Sequence, residues 1–198
     1  MNFLAHLYLS GDNPKIKLGN FIGDFVKGKD LVERFGEDVA KGIALHREID
    51  WFTDHHPVVK KSKDRLREKY RHYAGVIVDI FYDHFLAKYW PDYSNEFLPD
   101  YADDCYSMIL SYDSILPQEV KFMMPYMMKG NWLVNYAKIE GIHKALSGMA
   151  RRTRFDSKME EASEDLKKDF QEFEKEFKEF FPQLKTFSND WLKANLKN

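Results

Sequence analysis

The chemistry in this chain is concentrated in carboxylates and imidazoles set among apolar residues. Residues 42–57 read GIALHREIDWFTDHHP. His46 and Asp50 stand four apart, so on a helix they lie one above the other. At about 100° per residue, Val39, Ile43, Ile49 and Thr53 fall near the same stripe, so the pair sits on a face that turns inward. A carboxylate buried there is costly without a partner. That partner is a hydrogen-bonded histidine, a cation such as Arg47, or a metal ion.

Residues 75–87, GVIVDIFYDHFLA, repeat the anomaly. Asp79 and Asp83 are again four apart inside a strongly apolar run, and two carboxylates on one face repel unless a proton or a metal holds them together. His84 projects about 140° from Asp79 and about 100° from Asp83, at the edge of such a site or behind its ligands. Asp24 lies in GNFIGDFVKG, where Gly19 and Gly23 permit close approach of another element or a ligand. His6 lies in the apolar stretch NFLAHLYL and, taken alone, reads as a satisfied core histidine. An acid or imidazole on each of four apolar helices is a different matter. His and carboxylate donors together suit Mn, Fe or Zn better than Mg or Ca. Such donors on inward helix faces point to metal-assisted hydrolysis.

The elements that must position these groups are helical. Helices are expected near 2–9, 15–27, 37–55, 57–70, 73–89, 98–112, 117–128, 131–149 and 157–180, with Gly28, Pro57 and Pro91 as punctuation. No stretch sustains strand-like alternation. The chain reads as all-α, eight to nine helices in a single domain over its 198 residues. In the last segment Leu166, Phe170, Phe173, Phe177 and Phe180 form an apolar seam too short for a coiled coil, expected to lie on the domain rather than to dimerise. FMMPYMMKG is expected to fill core.

Composition sets the outer bounds. Net charge is −2 and no apolar stretch is long enough to span a bilayer, so neither nucleic acid nor membrane is an expected partner. The opening MNFLAHLYLSGD has neither a basic start nor a long apolar run, so it is not read as a signal peptide. A lone cysteine, Cys105, fits a reducing cytoplasm.

MNFLAHLYLS, GNFIGDFVKG, GIALHREIDWFTDHHP, VDIFYDHFLA and NWLVNY with the downstream LSGMARR stand in the order of the acyl carrier protein phosphodiesterase family, which this chain resembles over roughly residues 1–155. The segments around His46, Arg47, Asp50, Thr53 and Asp54, and Asp83-His84-Phe85-Leu86, are the most specific. The resemblance implies an all-helical, HD-domain-like phosphohydrolase that cleaves 4′-phosphopantetheine from a serine of holo acyl carrier protein, with manganese as the favoured metal. None of the seven histidines precedes an aspartate, so His46 with Asp50, and Asp83-His84 in reverse order, must supply the equivalent of the HD pair. The mechanistic expectation gathers Asp24, His46, Asp50 and Asp79 nearest a divalent ion, with His6, Asp83 and His84 as further ligands or supporting groups. Arg47 either steadies a phosphate oxygen or pairs on the surface. A carrier protein is acidic, so a local basic surface is expected at Lys60, Lys61, Lys63, Arg65 and Arg67, or at Arg151, Arg152 and Arg154. Two other readings stand beside this one: an HD-like phosphohydrolase of nucleotides or other small phosphoesters, and a non-catalytic helical interaction protein.

Overall fold

In the computed structural model, which describes residues 1–196, every regular element among the described residues is helical. In order these are α1 (Phe3–Tyr8), α2 (Pro14–Ile22), α3 (Leu31–Phe35), α4 (Glu37–His55), α5 (Pro57–Tyr70), α6 (Ala74–Lys88), α7 (Leu98–Ser111), α8 (Gln118–Lys129), α9 (Trp132–Asn135), α10 (Ile139–Ala150), α11 (Ala162–Lys168) and α12 (Phe170–Asn195). No described helix is long and apolar enough to cross a membrane.

α6 is the centre. Ile77, Val78, Ile80, Phe81, Tyr82, Phe85 and Leu86 are all buried, so this helix is covered on nearly every side, as its apolar composition requires. α1, α5, α10 and α12 pack against it, and α4 joins through α2, α5 and α12.

Three of the expected boundaries are corrected. The helix expected over 15–27 ends at Ile22 and tightens into a 3-10 turn over Gly23–Phe25, so Asp24 leaves the helix axis. The helix expected over 131–149 is two, α9 and α10, because the chain turns at residues 136–138 between them. The segment expected over 157–180 breaks at Asp169 into α11 and α12, and α12 then runs on through Pro182 to Asn195. The break puts Leu166 on a different helix from Phe173, Phe177 and Phe180. A short helix not expected, α3, is closed by Gly36 at φ 81°, a conformation that glycine adopts without strain. In the methionine-rich α8, Met123, Met124 and Met127 are core, while Phe122 and Tyr126 face outward.

The aromatic seam of α12 lies on α4, α5 and α6. Phe173, Phe177, Phe180, Phe181 and Leu184 are fully buried, with Phe173 edge-on to Phe81 and Phe177 edge-on to Tyr82. Within that apolar contact Glu176 is buried. It accepts two bonds from the Arg65 guanidinium at 2.8 and 2.9 Å and one from the Ser62 hydroxyl, and Ser62 in turn meets the Tyr82 hydroxyl at 2.9 Å.

Candidate metal centre

Four local structures bring the polar groups together. α2 starts from Pro14 behind an Asn13 cap, whose side-chain oxygen takes the Lys15 and Ile16 amides. It then meets α4 backbone to backbone. A Cβ on Gly19 would stand 2.1 Å from the Val39 carbonyl oxygen, and one on Gly42 would stand 2.2 Å from that of Ile16. Nothing but glycine fits there. One turn on, Gly23 leaves room for the His46 ring, which an added Cβ would meet at 2.3 Å. α1 is only six residues long and has no cap of its own. Its first amides are taken instead by Asp83 of α6, from Leu4 at 2.8 Å and Ala5 at 3.2 Å, which fixes α1 and the His6 it carries.

The result is a pair of stacked imidazoles, His6 and His46, with ring centres 4.0 Å apart. Asp50 bridges them: one oxygen is 3.2 Å from His6 Nε2, the other 3.1 Å from His46 Nε2. Asp24 reaches His46 Nε2 at 3.2 Å from the Gly23–Phe25 turn. Each of His6, His46 and Asp50 offers a donor atom within 4.8 Å of the others. The Met1 ammonium lies 3.3 Å from Asp50 and 3.1 Å from Asp79. The carboxylates open into a cleft of about 230 Å³ lined by Asp24, Asp50, Thr53, Asp54, Asp79 and Met149 among others, with the two imidazoles buried behind Asp50.

Asn20 orders both rings and was not picked out from the sequence. It is fully buried, and its amide nitrogen donates to the His6 carbonyl and to Ser10 Oγ, each at 2.8 Å. Its side-chain oxygen therefore faces His6 Nδ1 at 2.8 Å, and its backbone carbonyl accepts from His46 Nδ1 at 2.7 Å. Both Nδ1 atoms thus donate, and both Nε2 atoms turn to the carboxylates. The available signal was a polar residue between Gly19 and Gly23, flanked by the apolar Leu18, Phe21 and Ile22.

The electrostatics call for a cation. Burial pulls His46 down, but the Asp24 and Asp50 carboxylates outweigh it and carry its pKa up to about 9. Burial and the neighbouring His46 lower His6. Burial would raise Asp50, yet the two histidines and the ammonium hold it well below the usual carboxylate range. A neutral His6 has one proton for three acceptors: the Asn20 oxygen at Nδ1, and the Asp50 oxygen and the Met1 carbonyl oxygen, each 3.2 Å from Nε2. With Nδ1 donating, the Nε2 lone pair confronts both a carboxylate and a carbonyl oxygen. A divalent ion relieves that opposition. A shell in which each imidazole donates its other nitrogen to an oxygen acceptor is what metal-bound histidines require. The residues fit a metal ion.

Of the other candidates only Asp79 reaches the cleft. Asp79 lines the cleft beside the ammonium, and burial raises its pKa. Asp83 is fully buried with its oxygens on α1 amides, and burial pushes it up to about 7 against the pull of those amides. His84 is buried against Phe85 and Phe170, bonded through Nδ1 to the Tyr136 carbonyl at 2.7 Å. Neither Asp83 nor His84 is brought to the cleft lining. Arg47 is exposed and donates to the Val26 carbonyl at 3.4 Å, also apart from the cleft lining.

Removing the Asn20 amide leaves His6 free to turn. Asn20→Ala is expected to weaken metal affinity about 10- to 100-fold, the usual loss when the group behind a ligand is removed. Competition with a fluorescent chelator measures it; unchanged affinity would mean that Asn20 serves only packing.

Fold and site together define an all-helical protein with a His–His–carboxylate group of metal-holding composition. A family model, acyl carrier protein phosphodiesterase, matches residues 1–184, and the chain belongs to that family. Proteins of that name are similar to it: one from Photorhabdus laumondii is 34% identical over 177 residues, covering 87% of each chain. One from Escherichia coli O6:H1 is 38% identical over 162 residues, 79% of this chain and 82% of the relative. One from Serratia proteamaculans is 31% identical over 191 residues, 96% and 98% of the two chains. No solved structure matches.

Proposed function

We propose that this protein is a cytoplasmic, HD-like hydrolase of the phosphodiester that joins 4′-phosphopantetheine to a serine of holo acyl carrier protein. A divalent ion, manganese first among the candidates and Fe, Zn or Mg behind it, is held by His6, His46 and Asp50, with Asp24 and Asp79 beside them. The observation that carries this reading is the convergence of two buried imidazoles on a carboxylate that lines the cleft, in a chain of this family.

In the reaction a water oxygen bonds to phosphorus while the phosphorus–oxygen bond to serine breaks, and the serine oxygen takes a proton. A bound divalent ion neutralises the anionic phosphoryl group and makes its water more acidic. The chain's residues prepare the site for this. Asn20 and its carbonyl hold both imidazoles with Nε2 toward Asp50, which lines the cleft. Asp54 and Asp79 stand on the lining, where a carboxylate is placed to orient or deprotonate water.

The test is incubation with holo acyl carrier protein and Mn²⁺, following the mass of the carrier and the release of 4′-phosphopantetheine, beside a set of nucleotides. Turnover of nucleotides with an untouched carrier would replace this reading by the small-phosphoester alternative.

Loading the metal must displace the proton that His46 holds below about pH 9. Apparent metal affinity is therefore expected to rise about tenfold per pH unit from 7 towards 9 and to level off above it. Calorimetry in two buffers of different ionisation enthalpy reads the displaced proton directly; no proton release at pH 7 would show that His46 is not a ligand.

A further inference from the structure

The two basic segments singled out in the sequence differ in how far their charge is already satisfied. In residues 60–67, Lys60 pairs with Asp64, Lys63 with Asp54 at 3.2 Å, and Arg65 with buried Glu176 at 2.8 Å. That run is largely neutralised within the chain. Arg151, Arg152 and Arg154 form no ion pair among the described residues. Arg152 bonds only the Gly148 carbonyl, at 3.1 Å.

Their position is specific. Met149 lines the metal cleft, and Ala150 and Arg151, the next two residues, line a second hollow of about 460 Å³ with Phe155. The segment is tied into a compact turn by Thr153, whose one hydroxyl proton is shared between the Ala150 and Phe155 carbonyls at 2.8 and 2.9 Å. Phe155 is 72% exposed at its end, and Val76, 40% exposed, lies on the rim of the cleft itself. Arg151 and Phe155 thus line the second hollow, and Val76 and Met149 line the metal cleft, with the three unpaired arginines following Met149 within five residues in the chain.

We infer that residues 151–155, with Val76 and Met149, are the docking lip for an acidic protein that presents its phosphodiester to the cleft. This deepens the proposed function and rests on it for the protein-borne substrate. Like charges within four residues repel one another, and carboxylates on a partner relieve that repulsion. Phe155 supplies an apolar anchor of the kind that interfaces place among polar contacts. An acidic protein fits better than nucleic acid, because the chain carries −2 overall and the arginines form an isolated cluster rather than a basic stripe.

The experiment compares wild type, Arg151→Glu/Arg152→Glu and Arg151→Lys/Arg152→Lys as Mn²⁺-loaded full-length enzymes. The substrates are holo acyl carrier protein and bis(p-nitrophenyl) phosphate. Charge reversal is expected to lower kcat/KM for the carrier about 10- to 100-fold at low salt and to flatten its salt dependence, since steering of this kind is screened. The Lys variant is expected to stay near wild type, and the small diester to be cleaved equally by all three. Equal loss on both substrates, or loss on neither, overturns the lip. Binding of apo acyl carrier protein, followed by fluorescence anisotropy with a DNA duplex as competitor, separates this from the reaction. A wild type that binds carrier without cleaving it, while the reversed variant does not bind, defeats the proposed function and leaves the lip standing. Preference for the duplex overturns the lip.

Discussion

Asp50→Ala is expected to leave a folded protein that no longer retains metal and has lost hydrolysis by about a thousandfold or more. The size follows from the several kcal/mol of charge stabilisation that a bound ion contributes. Asp50 is the group both imidazoles share, at 3.2 and 3.1 Å, so its loss removes one donor and the reference that aligns the other two. The sequence placed this carboxylate on an inward face, where its removal would relieve burial and raise stability. Its side chain is in fact 36% exposed and already satisfied by two histidines and the Met1 ammonium. Little relief is therefore expected, and the melting temperature should move by a few degrees at most. Metal content by plasma emission, circular dichroism and turnover on holo carrier protein measure the three quantities together. Full metal content with near wild-type turnover would make Asp50 structural and undo the site.

Glu176→Ala is expected to do the opposite: large loss of stability, little loss of turnover per folded molecule. Deletion leaves the Arg65 guanidinium facing the aromatic contact between α12 and α5 with no acceptor, and the Ser62 hydroxyl with only the Tyr82 hydroxyl as partner. Breaking one side of a buried ion pair costs about 3–5 kcal/mol, and Arg65 is partly exposed, so the lower end applies. For a chain of this size that is roughly 6–12 °C in Tm. The apolar pair Arg65→Met with Glu176→Leu should recover most of it, because neither partner is then left unpaired. Thermal denaturation of the three proteins checks both statements. A loss below about 1 kcal/mol in Glu176→Ala would mean that water replaces the carboxylate.

What could be seen in the sequence was what repeats along one helix. The stripe through Val39, Ile43, His46, Ile49 and Thr53 is legible from spacing alone, and all five are buried. The helical end at His55 and the fresh start of α5 follow from Pro57. Asp83 is the instructive contrast. An acid in the apolar run of α6 has the same local signature whether it meets a metal or caps a distant helix. Its partners are amides 79 and 78 residues away, and no local pattern encodes them. His84 is alike, since its acceptor is a backbone carbonyl at Tyr136. Asn20 escaped for the reverse reason: its side chain does no chemistry, and half of its work is done by a carbonyl that every residue has. The break at Asp169 and the passage of α12 through Pro182 are set by packing on α4, α5 and α6, which overrides local propensity.

The contact between Gly19 and Gly42 bears on how this protein can change over time. Where two helices are kept apart by side chains, substitution can tune the gap one methyl at a time. Here bare backbone meets backbone, so the separation of Asn20 from His46 sits at its lower limit and has no finer adjustment. Drift at either glycine can only push the helices apart. Variation in metal or substrate preference among relatives is thus expected to accumulate on the outer wall, at Asp24, Asp54, Asp79 and the arginine lip, around an inner geometry that either persists whole or is lost.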